Sequence, residues 1–418
     1  MKAERLLLIG LSVVGSSMVL IAADWPQFRG PQRTGISSEA GLLKEWPKEG
    51  PKLAWQAKDI GDGYSTPAVV GNRIYLLSNR GLDNEFVQAL ATPDGRQVWA
   101  TKIGKVGNPE QRPSFPTARS TPTVEGDVLY ALGSDGDLAC LETGGGKVRW
   151  QKNLRTEFGG QPGQWAYAES PLIDGDLLVA TPGGAQATVV ALNKKTGALI
   201  WKAAVPGGDP AAYASVVIVE AGGRKQYAQY LANGVAAVDA KTGQFLWRYD
   251  GTKSNTNIPT LVAGGGQVYT AGRGIGALLR VTAAGGGLKA EEIYKQRGLP
   301  SSNGGSVLVG NVLYGTGDQG LVAVDFATGK ALWSNPGIGG ASILHADGRL
   351  YLHGENGDVA LVEATSEAYR EKGRFTPPDQ PKHVRGGMEK AWPYPVVANG
   401  RLYIRDLDSL WCYDVAAR

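Results

Sequence analysis

The sequence predicts an all-β fold, a closed ring of eight four-stranded blades forming a β-propeller, and three observations carry that prediction. A pattern with Ala or Cys ten residues before a Trp, an aliphatic at −9 and Gly at −4 recurs five times, ending at Trp99, Trp150, Trp201, Trp247 and Trp333. A Tyr lies eight residues beyond a strand-opening position in five places: Pro67 to Tyr75, Pro122 to Tyr130, Ser306 to Tyr314, Ile343 to Tyr351 and Pro395 to Tyr403. Turn dipeptides such as Gly71-Asn72, Gly126-Asp127, Asp174-Gly175 and Asp347-Gly348 sit between alternating aliphatics, which is a hairpin signal.

Each unit then reads as an opening strand, its hairpin partner, a third strand bearing the Ala-aliphatic pair and a fourth bearing the Trp. The Trp-to-Trp steps are 51, 51 and 46 residues and then 86, which reads as two steps of 43 with one anchor lost. The openers are Pro67, Pro122, Pro171, Val216, Pro259, Ser306, Ile343 and Pro395, giving eight blades. Proline is tolerated at the first residue of a strand or on a strand edge, and the innermost strand of a blade has one edge on the central channel. The last unit runs out after its third strand, LWCYDV at 410–415. Its missing fourth strand is expected from residues 52–60, where Trp55 stands forty-four residues before Trp99; this closes the ring and leaves no open sheet edge around it. The expected organisation is a leader over 1–23, an extended segment over 24–51 and one propeller domain over 52–418.

Composition agrees. Sixty Gly in 418 residues is about twice the usual share, which turns needing positive φ account for. Lys2 and Arg5 precede an uncharged apolar run from Leu6 to Ala23, so residues 1–23 read as a secretory signal peptide. An uncleaved membrane anchor is the alternative, because Leu20 or Ile21 stands where cleavage prefers a small residue, and membrane contact is expected only in that case. A periplasmic or secreted protein follows. No Cys follows the run to carry a lipid. The net charge of +4 gives no reason to expect a nucleic-acid partner. Cys140 and Cys412 occupy the same register in blades two and eight with blade one between them, so both are expected to be small buried side chains and not a disulfide.

Conventional catalytic motifs are absent or better explained by turns. GRGIG at 272–276 lies between two strands, where a phosphate loop would need a helix N-terminus, and is expected to be a hairpin turn. Asp135-Gly136-Asp137, Asp318-Gln319-Gly320 and Glu355-Asn356-Gly357-Asp358 lack the distal Glu of a calcium loop and read as turns. His345, His353 and His383 have no ligand spacing, so no metal site is expected. A binding centre, if present, belongs at the channel mouth, on which residues just before each opener converge. These are Tyr64, Arg119, Glu169, Tyr213, Asn257, Asn303 and Trp392, with Trp165 and Tyr167 beside them. Such a ring suits a sugar, a quinone or an extended peptide.

The copies ALNKKTGALIW, AVDAKTGQFLW and AVDFATGKALW resemble the tryptophan-docking repeats of the quinoprotein, or pyrroloquinoline quinone (PQQ)-type, propeller superfamily. DWPQFRGPQRTG at 24–35, YAESPLIDGD at 167–176 and TPGG at 181–184 are similar to secreted bacterial PQQ-binding-like propeller repeat proteins. The resemblance implies that Trp55, Trp99, Trp150, Trp201, Trp247 and Trp333 dock each blade on its neighbour. Its enzymes, alcohol and glucose dehydrogenases, hold the quinone in the channel with calcium and an Asp base, and many stack a vicinal disulfide on it. This chain has no adjacent cysteines, and only Glu169, Asn257 and Asn303 match the calcium and base set by position. PQQ and calcium are thus cofactors implied by resemblance alone. Another branch is a periplasmic lipoprotein scaffold of the outer-membrane barrel assembly machinery. The expectation is an exported binding or scaffold protein without chemistry of its own, taking a protein partner or a small polar or carbohydrate ligand at the mouth. A quinone-dependent oxidoreductase and a carbohydrate-binding propeller are the alternatives.

Overall fold

A computed structural model describes residues 23–111, 116–285, 287–381 and 390–417. The expected signal peptide, apart from Ala23, and His383 lie outside these residues. Eight sheets, each with four antiparallel blade strands, follow one another around a ring, and in all but the last these four run in sequence order from the channel outward. Blade 1 comprises Ala68–Val70, Arg73–Asn79, Glu85–Ala91 and Gln97–Gly104. In blade 8, Val396–Ala398, Arg401–Asp406 and Ser409–Asp414 are completed on the rim by Lys52–Ala57, paired from Lys52↔Asp414 to Ala57↔Leu410. The ring is therefore closed by the N-terminal strand.

Two openers shift. Blade 5 begins at Val262, beyond Pro259, and blade 7 at Ala341, before Ile343. Tyr269 pairs with Val262 and Tyr351 with Leu344, so both blades keep the Tyr on their second strand. That Tyr has a physical role: its ring packs on the docking Trp of the same blade, as in Tyr75–Trp99, Tyr130–Trp150, Tyr314–Trp333 and Tyr403–Trp55 at 6.0–6.2 Å. GRGIG forms a hairpin turn between Gln267–Gly272 and Ile275–Ala284, as expected. Cys140 and Cys412 are free and buried, each paired across strands with a docking Trp where only a small side chain fits.

Docking rests on a glycine. A β-bulge beside the Trp register tilts the fourth strand in every blade, illustrated by Ala89/Leu90 and Ala323/Val324. The indole then lies over the repeat's Gly in the next blade. A Cβ on Gly95, Gly146, Gly197 or Gly243 would sit 2.5–2.9 Å from the ring of Trp55, Trp99, Trp150 or Trp201 respectively. Each of these glycines has φ of 70–73°, a backbone that L side chains rarely adopt. The indole N–H of Trp55, Trp99 and Trp150 donates to the carbonyls of Thr92, Thr143 and Lys194 at 2.9–3.0 Å.

The anchor that seemed lost is replaced. Tyr294 occupies the docking register of blade 5, lies over Gly329 and donates to the Phe326 carbonyl at 3.1 Å. In blade 7 the register holds Gly373, and Trp46 from the N-terminal segment packs onto it. Trp247 departs from the pattern. Its N–H turns back to Gln226 Oε1 of its own blade, because blade 5 presents a long hairpin, Ile275–Ala284 with Gly287–Arg297, instead of the tight glycine turn.

Residues 24–37 do more than extend: they enter the channel as a loop from the face opposite the mouth and return to that face. Trp25 is buried and bonds reciprocally with Val69 of blade 1, and the Pro26 carbonyl accepts from Val124 N of blade 2. Arg33 reaches Ser170 and Pro171 of blade 3, and Arg29 reaches Ser306 of blade 6. Ile36–Ser37 adds a parallel strand to Ala341–Ala346 on the channel edge of blade 7. Glu39 accepts from the backbone N–H groups of Asn399 and Gly400 in blade 8.

Gly95→Ala and Gly126→Ala separate docking from backbone cost. Both glycines have positive φ, but no atom lies within 4 Å of a Cβ built on Gly126. Each substitution is expected to cost about 1–2 kcal/mol for the left-handed backbone, and Gly95→Ala roughly 1–3 kcal/mol more for displacing Trp55. Equal losses in urea unfolding would remove the docking contact from the list of stabilising interactions.

Candidate functional site

The inner strands run from the mouth toward the opposite face, so the residues preceding them meet at one end of the channel. There they enclose a cavity of about 260 Å³. Six of the nine mouth residues line it: Tyr64, Arg119, Trp165, Tyr213, Asn303 and Trp392. Two aromatic pairs face it, Tyr64–Trp392 with ring centroids 4.9 Å apart and Trp165–Tyr213 at 5.2 Å. A third, Phe28–Tyr394 at 5.4 Å and nearly perpendicular, comes partly from the inserted segment. Sequence reasoning missed both of its members. Tyr394 lies two residues beyond Trp392 in the same approach to blade 8, while nothing local in residues 24–35 signals that Phe28 turns toward the mouth.

The Arg119 guanidinium lies 5.2 Å from the centroid of the Tyr64 ring and donates to Gln111 Oε1 at 2.9 Å. Burial pushes its pKa below the ordinary guanidinium value, opposed by Tyr64, Tyr213 and Glu85. The indole N–H groups of Trp165 and Trp392 are both shielded from solvent and have no hydrogen-bond partner among the described residues.

The other three predicted residues point away from this cavity. Tyr167 is buried in the core and donates to the Pro182 carbonyl at 2.8 Å. Asn257 accepts from Ser254 N at 2.8 Å and donates to the carbonyls of Leu231 and Ala232. Glu169 accepts from Thr181 N and from Gln229 Nε2, and burial pushes its carboxyl up to about 7 against these bonds and the charge of Arg33. Glu85, a further buried carboxylate, is held by Ser134 and pushed up to about 8 by burial.

Calcium requires six to eight oxygen ligands, carboxylates among them. No carboxylate lines the cavity among the described residues, and no three His, Cys, Asp or Glu side chains cluster as a metal-ligating group there. Of the positional candidates, Glu169 and Asn257 are committed to the blade walls and only Asn303 faces the space. The residues present do not fit a calcium-bound quinone with a carboxylate base. His345 is half-buried and His353 buried, the second bonded to the Pro393 carbonyl at 2.9 Å, and they belong to no ligand set among the described residues.

Ring, docking repeat and axial cavity together define a quinoprotein-type repeat propeller with eight blades. The chain belongs to the family described as outer membrane protein assembly factor BamB, whose model matches residues 32–181 and again 166–370. Among relatives, it is 24% identical over 235 residues to tetrathionate hydrolase of Acidithiobacillus ferrooxidans, covering 51% of this chain and 40% of that protein. It is 26% identical over 308 residues to outer membrane protein assembly factor BamB of Burkholderia pseudomallei, covering 67% and 68% respectively. The chain thus spans less than half the length of the first of these relatives. Among solved structures, BamB from Moraxella catarrhalis aligns with TM-score 0.60 at 16% identity over 88% of this chain and 98% of that one. Quinohemoprotein alcohol dehydrogenase from Comamonas testosteroni aligns with TM-score 0.65 at 14% identity over 94% and 80%. At these identities the structural likeness concerns the fold.

Two predictions follow from the burial pattern. Trp247→Ala, at a nearly solvent-free site, should lose roughly 3–5 kcal/mol; Trp392→Ala, on the cavity wall, should lose less than half as much by the same urea titration, and equal losses would make Trp392 a packing residue. Glu85 and Glu169 keep their protons in the fold at pH values where the unfolded chain, near 4.5, has ionised. Their contribution is complete below pH 4.5 and lost as pH rises through about 7 for Glu169 and about 8 for Glu85. The unfolding midpoint should therefore fall across that window, and Glu169→Gln should flatten its lower part and Glu85→Gln its upper part; an unaltered slope in both variants would contradict this.

Proposed function

We propose that the chain is an exported binding or scaffold protein that captures a protein partner at the aromatic mouth of its channel. The observation that carries this reading is the aromatic lining of the cavity, where Tyr64, Trp165, Tyr213, Trp392 and Tyr394 surround the space with Phe28 beside them. Aromatic faces supply apolar contact at low entropic cost, so a peptide segment that offers an apolar side chain suits the cavity. The relatives named outer membrane protein assembly factors support a protein partner, and the apolar leader at residues 1–23 supports periplasmic or secreted placement. Among the described residues no carboxylate lines the cavity, which counts against the dehydrogenase reading despite the shared fold.

A photo-crosslinking amino acid at position 392, in cells expressing the full chain, is expected to capture a discrete protein, whereas the same group at Leu199 on the exposed rim is not. Trp165→Ala should weaken that capture about tenfold, the usual scale for an aromatic anchor. Protein incubated with PQQ and calcium should show no dye-linked alcohol or sugar oxidation. Turnover that disappears in Glu169→Gln at unchanged melting temperature would overturn the proposal in favour of the oxidoreductase, and saturable binding of an oligosaccharide without any protein crosslink would do so in favour of a carbohydrate-binding propeller.

A further inference from the structure

The inserted segment divides the channel, and beneath it lies a second chamber of about 220 Å³. One wall is the segment itself, with Gln27, Arg29, Arg33 and Thr34; the other is apolar, from Leu172, Val217, Leu261 and Leu308 among the inner strands of blades 3–6. The chamber opens at Pro31, Gln32 and Thr34, which are exposed.

Arg29 and Arg33 are only 2% and 7% exposed. Arg29 donates to the carbonyls of Arg33, Thr34 and Ser306. Arg33 donates to those of Ser170 at 2.8 Å and Pro171 at 3.0 Å and to Gln27 Oε1 at 3.2 Å, while its Nε has no hydrogen-bond partner. Every acceptor is neutral, and neither guanidinium forms an ion pair among the described residues. The carboxylate acting on Arg33 from a distance is Glu169, already committed to Thr181 and Gln229. Burial lowers Arg33 to about 10, with the neighbouring charge of Arg29 adding to the effect, so Arg33 remains cationic at neutral pH. Burying two like charges with neutral acceptors alone carries a desolvation cost that an opposite charge offsets. Guanidinium groups match oxyanions in geometry as well as charge.

We propose that the lower chamber binds a small organic oxyanion, its sulfonate, carboxylate or phosphate head against Arg29 and Arg33 and its short apolar portion on the inner strands. The head satisfies the remaining donor of Arg33, and the tail covers Leu172, Val217 and Leu308. This site is independent of the aromatic mouth, from which the segment separates it.

The test uses the full chain and 1-hexanesulfonate, titrated by calorimetry at constant ionic strength, with sulfate as the headgroup alone and 1-hexanol as the tail alone. Saturable one-site binding of the sulfonate is expected, with sulfate competing for it and hexanol binding far more weakly. Arg33→Met should reduce affinity at least tenfold, and Trp392→Ala at the mouth should leave it unchanged. Because Arg33 also latches the segment, Gln32→Glu on the exposed rim supplies a variant that leaves the latch intact. One added negative charge there should weaken sulfonate binding about fivefold at unchanged melting temperature. Absence of saturable sulfonate binding, or an affinity that Gln32→Glu does not alter, overturns the proposal.

Discussion

Everything in this molecule depends on the pairing of Lys52–Ala57 with Ser409–Asp414. A ring of stacked sheets has no interior order of importance: each blade is stabilised by its two neighbours, and one unfilled position exposes a flank on either side. The closing strand supplies backbone bonds to blade 8 and also sets Trp55 over Gly95 in blade 1, so a single segment joins the last unit to itself and to the first. Around the ring the same contact recurs with substitutions. Tyr294 does in blade 5 what an indole does elsewhere, and Trp46 enters from outside the repeat to cover Gly373. What recurs is a flat ring over a residue lacking a side chain, from which Trp247 and Trp333, the latter packed on Tyr369, depart.

The channel shows how one fold serves unlike chemistries. Its likeness to a quinohemoprotein alcohol dehydrogenase and to BamB is of the same order, and at 14% and 16% identity the backbone does not choose between them. The side chains do. Here two buried carboxylates are committed to the blades, Glu169 by Thr181 and Gln229 and Glu85 by Ser134, while aromatic rings line the mouth. Such a surface presents ring faces and edges with one buried guanidinium, Arg119, among them.

Much of the fold was legible because repetition turns weak local signals into a register. The Trp and Gly offsets located the blades, the count of openers gave their number, and the position of Trp55 gave the closure. Tyr294 escaped because the repeat pattern was read by its Trp, while the contact demands only a flat ring. At the mouth, the positions before the openers, with Trp165 beside them, put Tyr64, Arg119, Trp165, Tyr213, Asn303 and Trp392 on one cavity wall. It could not say which way Glu169 and Asn257 turn, since that is decided by partners such as Gln229 and Ala232 in the next blade. The inserted segment was invisible for the same reason: Arg29 and Arg33 bond to backbone carbonyls more than a hundred residues away, and a carbonyl leaves no mark in a sequence.

The distance along the chain between the two halves of the closing sheet has a kinetic meaning. Lys52 and Asp414 are partners, so the contact that completes the ring spans nearly the entire described polypeptide. Folding rates fall as sequence separation between contacts grows, and a pairing of this span is among the last to form. Blades can assemble locally as an open arc, each hairpin closing within its own few dozen residues. The axial segment goes in and comes back out by the same face, with Trp25 antiparallel and Ile36–Ser37 parallel to the inner strands beside them, so it can seat as a stopper seats in a finished bottle and need not be caught inside the ring as it closes.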